Sequence, residues 1–305
     1  MEFASCEFPF CAFWDFMASI LITGGAGVVG ARLSSLFLEM GHSVRVLTLP
    51  GQGESKRLPK DVEIFYGDVR KPESLLAPFQ DVDTVCHLAA VILAGKREAF
   101  EKVNLEGTRN VLLAAKSAGV KRFLFVSSIS VTYSDLTDYG KSKLRAESLV
   151  QDMGIPFTIV RPTLVVERTG GAEYMLLMRY LKKAPLVFLP GKGKCLKRPV
   201  RTEDLVRGIA LAATSPAAVG KTYALAGSKV MSLLDMAKIS MERAGIHKKI
   251  YGLPLWICHF LALLKQILIP GSVSARQALA GFRENAAPEI SDAEKDLGYR
   301  PGSPF

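Results

Sequence analysis

The sequence lacks the cysteine and histidine spacing that encodes a metal site or a disulfide framework. Its five cysteines are odd in number and scattered, and no pair has zinc-ligand spacing; they are Cys6, Cys11, Cys86, Cys195 and Cys258. Cys86 is followed by His87, but no third residue has the spacing of a further metal ligand. We therefore interpret this pair as part of a core strand. We therefore predict no metal site, and free thiols in a reducing compartment, the cytoplasm.

The sequence also lacks a recognisable signal peptide and an apolar run long enough to span a membrane readily. Residues 1–16 are aromatic-rich, start with an acid and have no basic n-region, so they make a poor signal peptide. We expect the fold to begin at Met17, with 1–16 an extension outside it, or alternatively a hydrophobic docking tail. The most apolar run, 253–269, contains Lys265 and is short for a span. It favours a helix packed on a smaller lobe, with peripheral membrane contact in the lipid interface as the alternative.

Composition narrows the class of protein further. Hydrophobic residues make up 49% and charged residues 22% of the 305 residues, which is typical of a globular chain with one sizeable domain and a smaller lobe. The net charge of +10 favours an anionic partner such as a nucleotide, a sugar nucleotide or a membrane surface. No basic motif interleaved with aromatics is present, so we expect no nucleic-acid partner.

A glycine-rich turn near the start of the chain dominates the pattern. The apolar run 20–22 is typical of a buried parallel strand. Gly24, Gly27 and Gly30 follow it, and helical apolar spacing begins at residue 31. In a strand–turn–helix context, the three glycines permit a tight turn, a close approach to a pyrophosphate and close helix packing. The helix N-terminus would face the phosphates.

Strands and helices then alternate, which predicts an α/β fold. The expected strands are 42–48, 62–66, 84–90, 122–126 and 157–161, and the helices between them are 72–79, 97–118 and 139–153. Repeated β-α units imply a Rossmann-type, doubly wound parallel sheet. We assign 17–165 to this domain and 166–305 to a smaller, mostly helical substrate lobe interleaved with it. Helices at 172–183, 202–214 and 232–245 and strands near 186–189 and 222–226 are expected in that second part.

Chemistry-bearing residues fall where ligands bind in such sheets, at the carboxyl ends of the strands. Ser127 and Ser128 close the fifth strand, and Tyr139 and Lys143 stand four residues apart at the start of the next helix, so they share one face. A nearby lysine and a cationic nicotinamide ring would both favour the phenolate. We therefore predict that Tyr139 is a general acid or base, although a Tyr-x-x-x-Lys pair alone is common on surfaces.

Several motifs together resemble an extended short-chain dehydrogenase/reductase, the group that includes the sugar-nucleotide epimerases and dehydratases. The matching motifs run in family order: TGGAGVVG at 23–30, GDVR at 67–70, HLAA at 87–90, NLEGTRNVL at 104–112, FVSSISV at 125–131, YGKSK at 139–143, RPT at 161–163 and RPVRTEDL at 198–205.

The resemblance implies roles for particular residues. Ser128, Tyr139 and Lys143 would be catalytic, and Asn104 would support the floor of the site. The implied cofactor-binding residues are Gly24, Gly27, Val28, Val29, Gly30, Asp68, Val69, Leu88, Ala89, Ala90, Tyr139, Lys143 and Pro162. The cofactor would be NAD or NADP, with NAD preferred. NAD-specific members end the second strand in an acid; Thr48 and Leu49 stand there instead, with Lys56 and Arg57 downstream.

The sequence gives fewer indications of the residues that bind the substrate. An arginine of the epimerases grips the substrate diphosphate near a basic loop, which implies Lys197 or Arg198 here and Arg283 as a second clamp; a solvated basic loop is the alternative. Ser128 and Tyr139 are eleven residues apart, closer than in familiar epimerases, which predicts a more open site.

Three functions are open. The first is an enzyme acting on a nucleotide sugar, as an epimerase, dehydratase or reductase, and the basic loop favours it. The second is a hydroxysteroid or lipid-alcohol dehydrogenase, which the apolar segment 253–269 favours. The third is a non-catalytic nucleotide-bound subunit, against which the intact Ser128, Tyr139 and Lys143 argue. A second copy of the chain is a candidate partner in each case.

Overall fold

The structure is a computed structural model. It describes residues 17–51, 54–93, 97–167, 172–268 and 275–305. The expectations for residues 1–16 concern a segment outside these ranges.

The core of the molecule is a seven-stranded parallel sheet. Its strands are β1 (Ser19–Thr23), β2 (Ser43–Thr48), β3 (Glu63–Tyr66), β4 (Thr84–His87), β5 (Arg122–Val126), β6 (Phe157–Pro162) and, later in the chain, β11 (Lys221–Leu225). Their order across the sheet is β11-β6-β5-β4-β1-β2-β3. The predicted doubly wound parallel sheet is confirmed. Strand order reverses between β1 and β4, which is where ligands bind in this architecture.

Helices cover both faces of the sheet. The helices of the described chain, including those of the smaller lobe, are α1 (Val28–Glu39), α2 (Arg97–Phe100), α3 (Gly107–Ser117), α4 (Asp138–Asp152), α5 (Ala172–Lys183), α6 (Thr202–Thr214), α7 (Leu233–Arg243), α8 (Leu255–Leu268), α9 (Ala275–Arg283) and α10 (Ser291–Leu297). Alternate residues of each strand point to opposite faces. Ile20 and Ile22 therefore join the core under α1 and α6, whereas Leu21 joins the core under α3 and α4. Both faces are buried, which explains the nearly continuous apolar strands.

The second half of the chain contributes to both parts of the molecule. Helix α6 packs against α1, and β11 pairs with β6 at the edge of the main sheet. The predicted strand near 222–226 therefore belongs to the core sheet and not to the lobe. The smaller lobe contains α5, α7, α8 and α9, with six short strands near it: β7 (Val165–Val166), β8 (Val187–Pro190), β9 (Leu196–Lys197), β10 (Val200–Arg201), β12 (Met231–Ser232) and β13 (Ile250–Leu253).

Two helices differ from the prediction. The helix expected over 72–79 is only a 3-10 turn, Pro72–Leu75, because Pro78 has no N–H to donate and disfavours helical backbone before it. The helix expected over 97–118 is present, but α2 and α3 are joined through a π-helical segment, Glu101–Glu106. Such segments insert an extra residue into the helical repeat and often occur at functional sites.

Candidate active site

A cleft of about 650 Å³ opens at the carboxyl ends of β1, β4 and β5. The residues predicted to hold a cofactor lie along it, and Lys143 alone of that set is not in its wall. The lining residues from the prediction are Gly24, Gly27, Val28, Val29, Gly30, Asp68, Val69, Leu88, Ala89, Ala90, Tyr139 and Pro162. One continuous groove therefore gathers residues from the ends of six strands of the main sheet.

The glycine turn has the geometry that a pyrophosphate needs. Gly24 has φ +70°, and a Cβ there would lie 2.8 Å from the Ala89 nitrogen. A Cβ on Gly30 would lie 2.7 Å from the Gly24 oxygen, so Gly30 lets α1 pack on the turn itself. Gly27 lines the cleft, and a Cβ there would meet only that same oxygen, at 3.3 Å. The first turn of α1 has no side-chain cap and no acid, so its amides and dipole suit an anion.

The far end of the cleft is formed by Thr48, Leu49, Asp68 and Arg70. Arg70 Nε donates to both carboxylate oxygens of Asp68, at 3.0 and 2.9 Å, and the Arg70 side chain lowers the pKa of that carboxyl. Lys56, which lies on an exposed 3-10 turn, is not in the wall. The sequence analysis named Lys56 and Arg57 as the cations near this end of the cleft and did not assign a role to Arg70.

Asn104 links the loop after β4 to helix α4. It lies in the π-helical segment, fully buried. Its Oδ1 accepts from the Val91 nitrogen at 2.8 Å, and its Nδ2 donates to the Val91 oxygen at 3.0 Å and to Ser142 Oγ at 3.0 Å. Ser142 Oγ in turn donates to the Tyr139 carbonyl at 2.7 Å. The predicted supporting role has a direct geometric basis.

Ser128 and Tyr139 are brought together. Ser128 ends β5 as the N-cap of a 3-10 turn, where its Oγ accepts from the Ser130 nitrogen at 3.2 Å and from Ser130 Oγ at 3.0 Å. The Ser128 hydroxyl also hydrogen-bonds the Tyr139 phenol, which lowers the phenol's pKa. Ser130 therefore orients Ser128 toward Tyr139.

The expected lowering of the Tyr139 pKa by Lys143 is not seen in the protein alone. Burial raises the pKa of Tyr139, and the charge of Glu173 raises it further. Lys143 is buried with its Nζ 4.0 Å from the centre of the Phe125 ring. Burial lowers the pKa of Lys143 to about 7, with Glu147 opposing the change. Burial therefore shifts Lys143 toward its neutral form.

His87 is a core residue, as interpreted from the sequence. Its Nδ1 lies 2.6 Å from Thr23 Oγ1 and its Nε2 lies 2.9 Å from Thr108 Oγ1. Burial, followed by the charge of Lys143, lowers its pKa to about 3. Across the described part of the chain, no group of three or more His, Cys, Asp or Glu residues could hold a metal ion.

Glu173 was not anticipated from the sequence. It lies on the first turn of α5, lines the cleft, and raises the pKa of both Tyr139 and Tyr133. Desolvation raises the pKa of Glu173 itself, with Lys197 opposing. No motif marks this position, because α5 returns to the cleft only through tertiary folding.

The three predicted substrate cations are engaged with the protein. Lys197 Nζ donates to the Glu284 carbonyl at 2.9 Å. Arg198 donates to the carbonyls of Gly227 at 2.7 Å and Pro288 at 2.9 Å. Arg283 pairs with Asp135 at 3.6 Å. None of the three is among the residues that line the cleft.

Replacing Glu173 by glutamine should shift the pH dependence of turnover. The charge of Glu173 raises the pKa of Tyr139, so its removal lowers that pKa and makes phenolate available at lower pH. For alcohol oxidation, the rising limb of kcat against pH should move to lower pH, by up to about one unit. The matched control is Glu294→Gln, which changes an exposed carboxylate on α10. If the rising limb of kcat against pH does not move in Glu173→Gln, Glu173 does not act on the phenol.

The cleft fits a nicotinamide dinucleotide on its own geometry. The glycine turn leaves room where a Cβ would project, and Ser127 Oγ, buried in the wall, has no hydrogen-bond partner among the described residues. Tyr139 and Ser128 stand at the opposite end from Asp68 and Arg70. A phenol and a hydroxyl placed together in this way can exchange a proton with a substrate oxygen.

Comparisons with known proteins agree with this geometry. The model of the NAD dependent epimerase/dehydratase family matches residues 20–226. The chain is 25% identical to the sterol-4-alpha-carboxylate 3-dehydrogenase of Mus musculus, covering 92% of this chain and 86% of the relative. It is 29% identical to the UDP-glucose 4-epimerase of Vibrio cholerae, covering 93% and 90%.

Solved structures show the same fold. The crystal structure of gox2253 superposes with a TM-score of 0.80 at 26% identity, covering 94% of each chain. The UDP-glucose 4-epimerase of Thermus thermophilus, in complex with NAD, has a TM-score of 0.72 at 22% identity, covering 93% of this chain and 94% of that one. The predictions of an extended short-chain dehydrogenase/reductase, of an enzyme and of a nicotinamide cofactor are confirmed. The chain belongs to the NAD-dependent epimerase/dehydratase family.

Proposed function

We propose that the protein is an NAD(P)-dependent dehydrogenase of an uncharged, largely apolar alcohol, working in either direction. The observation that carries this proposal is the charge of the substrate end of the cleft. Glu173 lines that end beside Tyr139, whereas Arg70, at the far end, is the only lysine or arginine in the described wall. A substrate diphosphate there would face a carboxylate without a cation in the wall to balance it.

The residues divide the proton chemistry between them. Bound NAD or NADP supplies the hydride acceptor or donor. Tyr139 Oη takes the proton of the substrate hydroxyl, or returns it to a carbonyl oxygen, while Ser128 Oγ holds that oxygen. Ser130 orients Ser128, and Asn104 fixes the backbone on both sides of the cleft. Lys143 is buried against the Phe125 ring, and burial lowers its pKa to about 7.

The engaged cations support an apolar substrate. Lys197 and Arg198 donate hydrogen bonds to backbone carbonyls, and Arg283 forms an ion pair with Asp135. Moving Arg198 onto a phosphate would leave the carbonyls of Gly227 and Pro288 without these donors, which is unfavourable for buried groups. Relatives named as sterol and 3-beta-hydroxysteroid dehydrogenases cover 92% and 93% of the chain, in line with an apolar alcohol.

A nucleotide sugar is the second candidate substrate. The relative of highest identity named above, at 29%, is a UDP-glucose 4-epimerase, and Lys197 lies close enough to Glu173 for each to affect the other's pKa. A rearrangement that exchanges the Glu284 carbonyl for a phosphate at Lys197 would give the diphosphate one cation.

The test compares the two substrate classes on the same preparation. Steroid alcohols and long-chain alcohols in detergent, and UDP-, GDP- and dTDP-sugars, are each incubated with NAD or NADP while the absorbance of reduced nicotinamide is followed. We expect net reduction of the dinucleotide with an apolar alcohol and none with the sugars. Epimerised sugar with retained NAD would overturn the apolar-alcohol proposal in favour of the second candidate.

A cytoplasmic location accompanies this proposal. Cys86, Cys195 and Cys258 are free thiols and all three are buried, which suits a reducing compartment. No helix in the described ranges is long and apolar enough to cross a membrane.

A further inference from the structure

Helix α8 carries a large apolar surface that its neighbours in the described chain leave exposed. Trp256 is 72%, Phe260 63%, Ile267 75% and Leu268 70% exposed. The spacing of Trp256, Phe260 and Ile267 is that of one helical stripe. The opposite side, at Cys258, is buried. Apolar surfaces of this extent are rare on soluble monomers and mark interaction sites.

The apolar surface continues from α8 onto the adjoining two-stranded sheet. Strands β8 and β13 pair in parallel immediately before α8. Phe188 and Tyr251, one from each strand, have ring centroids 5.6 Å apart and are 38% and 43% exposed. Leu186, directly before β8, is 51% exposed. We call α8 with Leu186, Phe188 and Tyr251 the apolar face.

Two stretches of the sequence that contribute to the lobe contain no acidic residue. Residues 174–202 and 244–283 together carry thirteen lysines and arginines and no aspartate or glutamate. Removing these thirteen from the 39 basic residues leaves 26 against all 29 acids, so the remainder of the chain is net negative. The net positive charge of the sequence therefore derives from these two stretches.

Exposed lysines lie beside the apolar face. Lys248 Nζ donates to the carbonyls of Lys182 at 2.7 Å and Ala184 at 2.8 Å, which fixes the end of α5 against the segment before β13. The side chain of Lys192 lies against Gly252 of β13. Lys182, Lys183, Lys192 and Lys249 are all exposed. We call these four lysines the basic cluster.

We propose that the apolar face and the basic cluster dock the protein on an anionic phospholipid bilayer, with α8 lying in the plane of the interface. Apolar side chains would enter the boundary of the acyl chains while lysines contact lipid phosphates. The 14 residues of α8 extend roughly 21 Å, less than the ~30 Å hydrocarbon core. Exposed lysines beside an apolar stripe complement an anionic surface better than they complement a second copy of the chain, because two such basic clusters repel.

This docking goes beyond the proposed function and is independent of it. Binding to lipid requires neither a dinucleotide nor turnover, so it can be measured on an inactive variant such as Tyr139→Phe. If both hold, the enzyme works at the surface where apolar alcohols are dissolved.

The first test is co-sedimentation of the full chain with vesicles. Phosphatidylcholine vesicles are compared with vesicles containing about one part in three phosphatidylglycerol. We expect binding to the anionic vesicles that weakens as salt is added, and that falls about tenfold or more in Trp256→Ser/Ile267→Ser, because apolar burial is lost. The control Leu76→Ser/Leu113→Ser removes apolar side chains that are 71% and 50% exposed elsewhere and should bind as the parent does.

Charge reversal tests the basic cluster separately. Each lysine near an anionic surface strengthens binding roughly fivefold, so Lys182→Glu/Lys183→Glu should weaken binding by tenfold or more and reduce its salt dependence. Lys60→Glu/Lys295→Glu makes the same change in net charge at exposed positions away from the lobe and should have a much smaller effect.

Tryptophan fluorescence reports insertion directly. The chain has two tryptophans, Trp14 and Trp256, so a Trp14→Phe background leaves Trp256 as the reporter. Anionic vesicles should shift its emission to the blue and protect it from a water-soluble quencher. No binding to anionic vesicles, or unchanged binding by both double variants, would overturn the proposal. So would a parent dimer in light scattering that Trp256→Ser/Ile267→Ser makes monomeric, because the apolar face would then be a contact between copies.

Discussion

Tyr139→Phe should lower turnover by roughly 10²–10⁴-fold, the usual contribution of a positioned proton-transfer group. The change keeps the ring that contacts Phe100, with centroids 6.1 Å apart, and removes only the hydroxyl that Ser128 hydrogen-bonds. Cofactor affinity should remain within a few-fold of the parent, because the glycine turn is untouched and the aromatic ring stays in the wall of the cleft. Turnover is measured as steady-state hydride transfer with the substrate that the comparison of apolar alcohols and nucleotide sugars identifies. Cofactor affinity is measured by calorimetric titration with NAD or NADP.

Neighbouring variants separate the roles of the three residues. Ser128→Ala should reduce kcat less than Tyr139→Phe, because it removes a hydrogen bond to the oxygen and not the proton carrier. Lys143→Met should weaken both cofactor binding and turnover. Tyr66→Phe removes a phenol that is 58% exposed at the sheet edge and serves as the matched control. If Tyr139→Phe turned over at the parental rate, the assignment of the general acid or base would fail and a non-catalytic nucleotide-bound subunit would become the better interpretation.

Local sequence patterns predicted the sheet and its glycine turn well. The strand at 20–22, the glycines at 24, 27 and 30 and the helix after them require only neighbours in sequence, and φ +70° at Gly24 is the conformation that selects glycine. Helix α4 likewise begins at a threonine cap, whose Oγ1 accepts from the Gly140 nitrogen at 3.0 Å, and ends before Gly154, with φ +77°. Such elements are specified by residues within one or two turns.

Features that depend on distant segments could not be read from the sequence. Glu173 reaches Tyr139 only because the lobe folds back over β5 and β6, and the hydrogen-bond partners of Arg198 come from two further loops. A basic loop in sequence therefore predicted free cations where tertiary structure supplies carbonyl partners. The strand over 221–225 looked like part of the lobe because sequence proximity does not reveal that β11 extends the main sheet.

The cofactor assignment has its sharpest test at Gly27, where valine should lower dinucleotide affinity by roughly 100-fold, about 3 kcal/mol. Gly27 is the N-cap of α1 with φ −68° and ψ 166°, a conformation that any residue adopts. A Cβ there would contact only the Gly24 oxygen, at 3.3 Å, so the valine methyl groups project into the cleft that Gly27 lines. They would occupy the space through which a pyrophosphate approaches the amides of α1.

Two other glycine-to-valine variants separate lost binding from lost folding. Gly30→Val would place its Cβ 2.6 Å from the Gly25 Cα, so it should lower the melting temperature as well as dinucleotide affinity. Gly281→Val, where a Cβ would meet nothing within 4 Å, should change neither apart from a small difference in helix propensity. We expect Gly27→Val to melt close to the parent and yet to give no saturable calorimetric signal with NAD or NADP. Parental affinity in a folded Gly27→Val protein would contradict the placement of the pyrophosphate at this turn, because the valine methyl groups would occupy the space that the pyrophosphate needs.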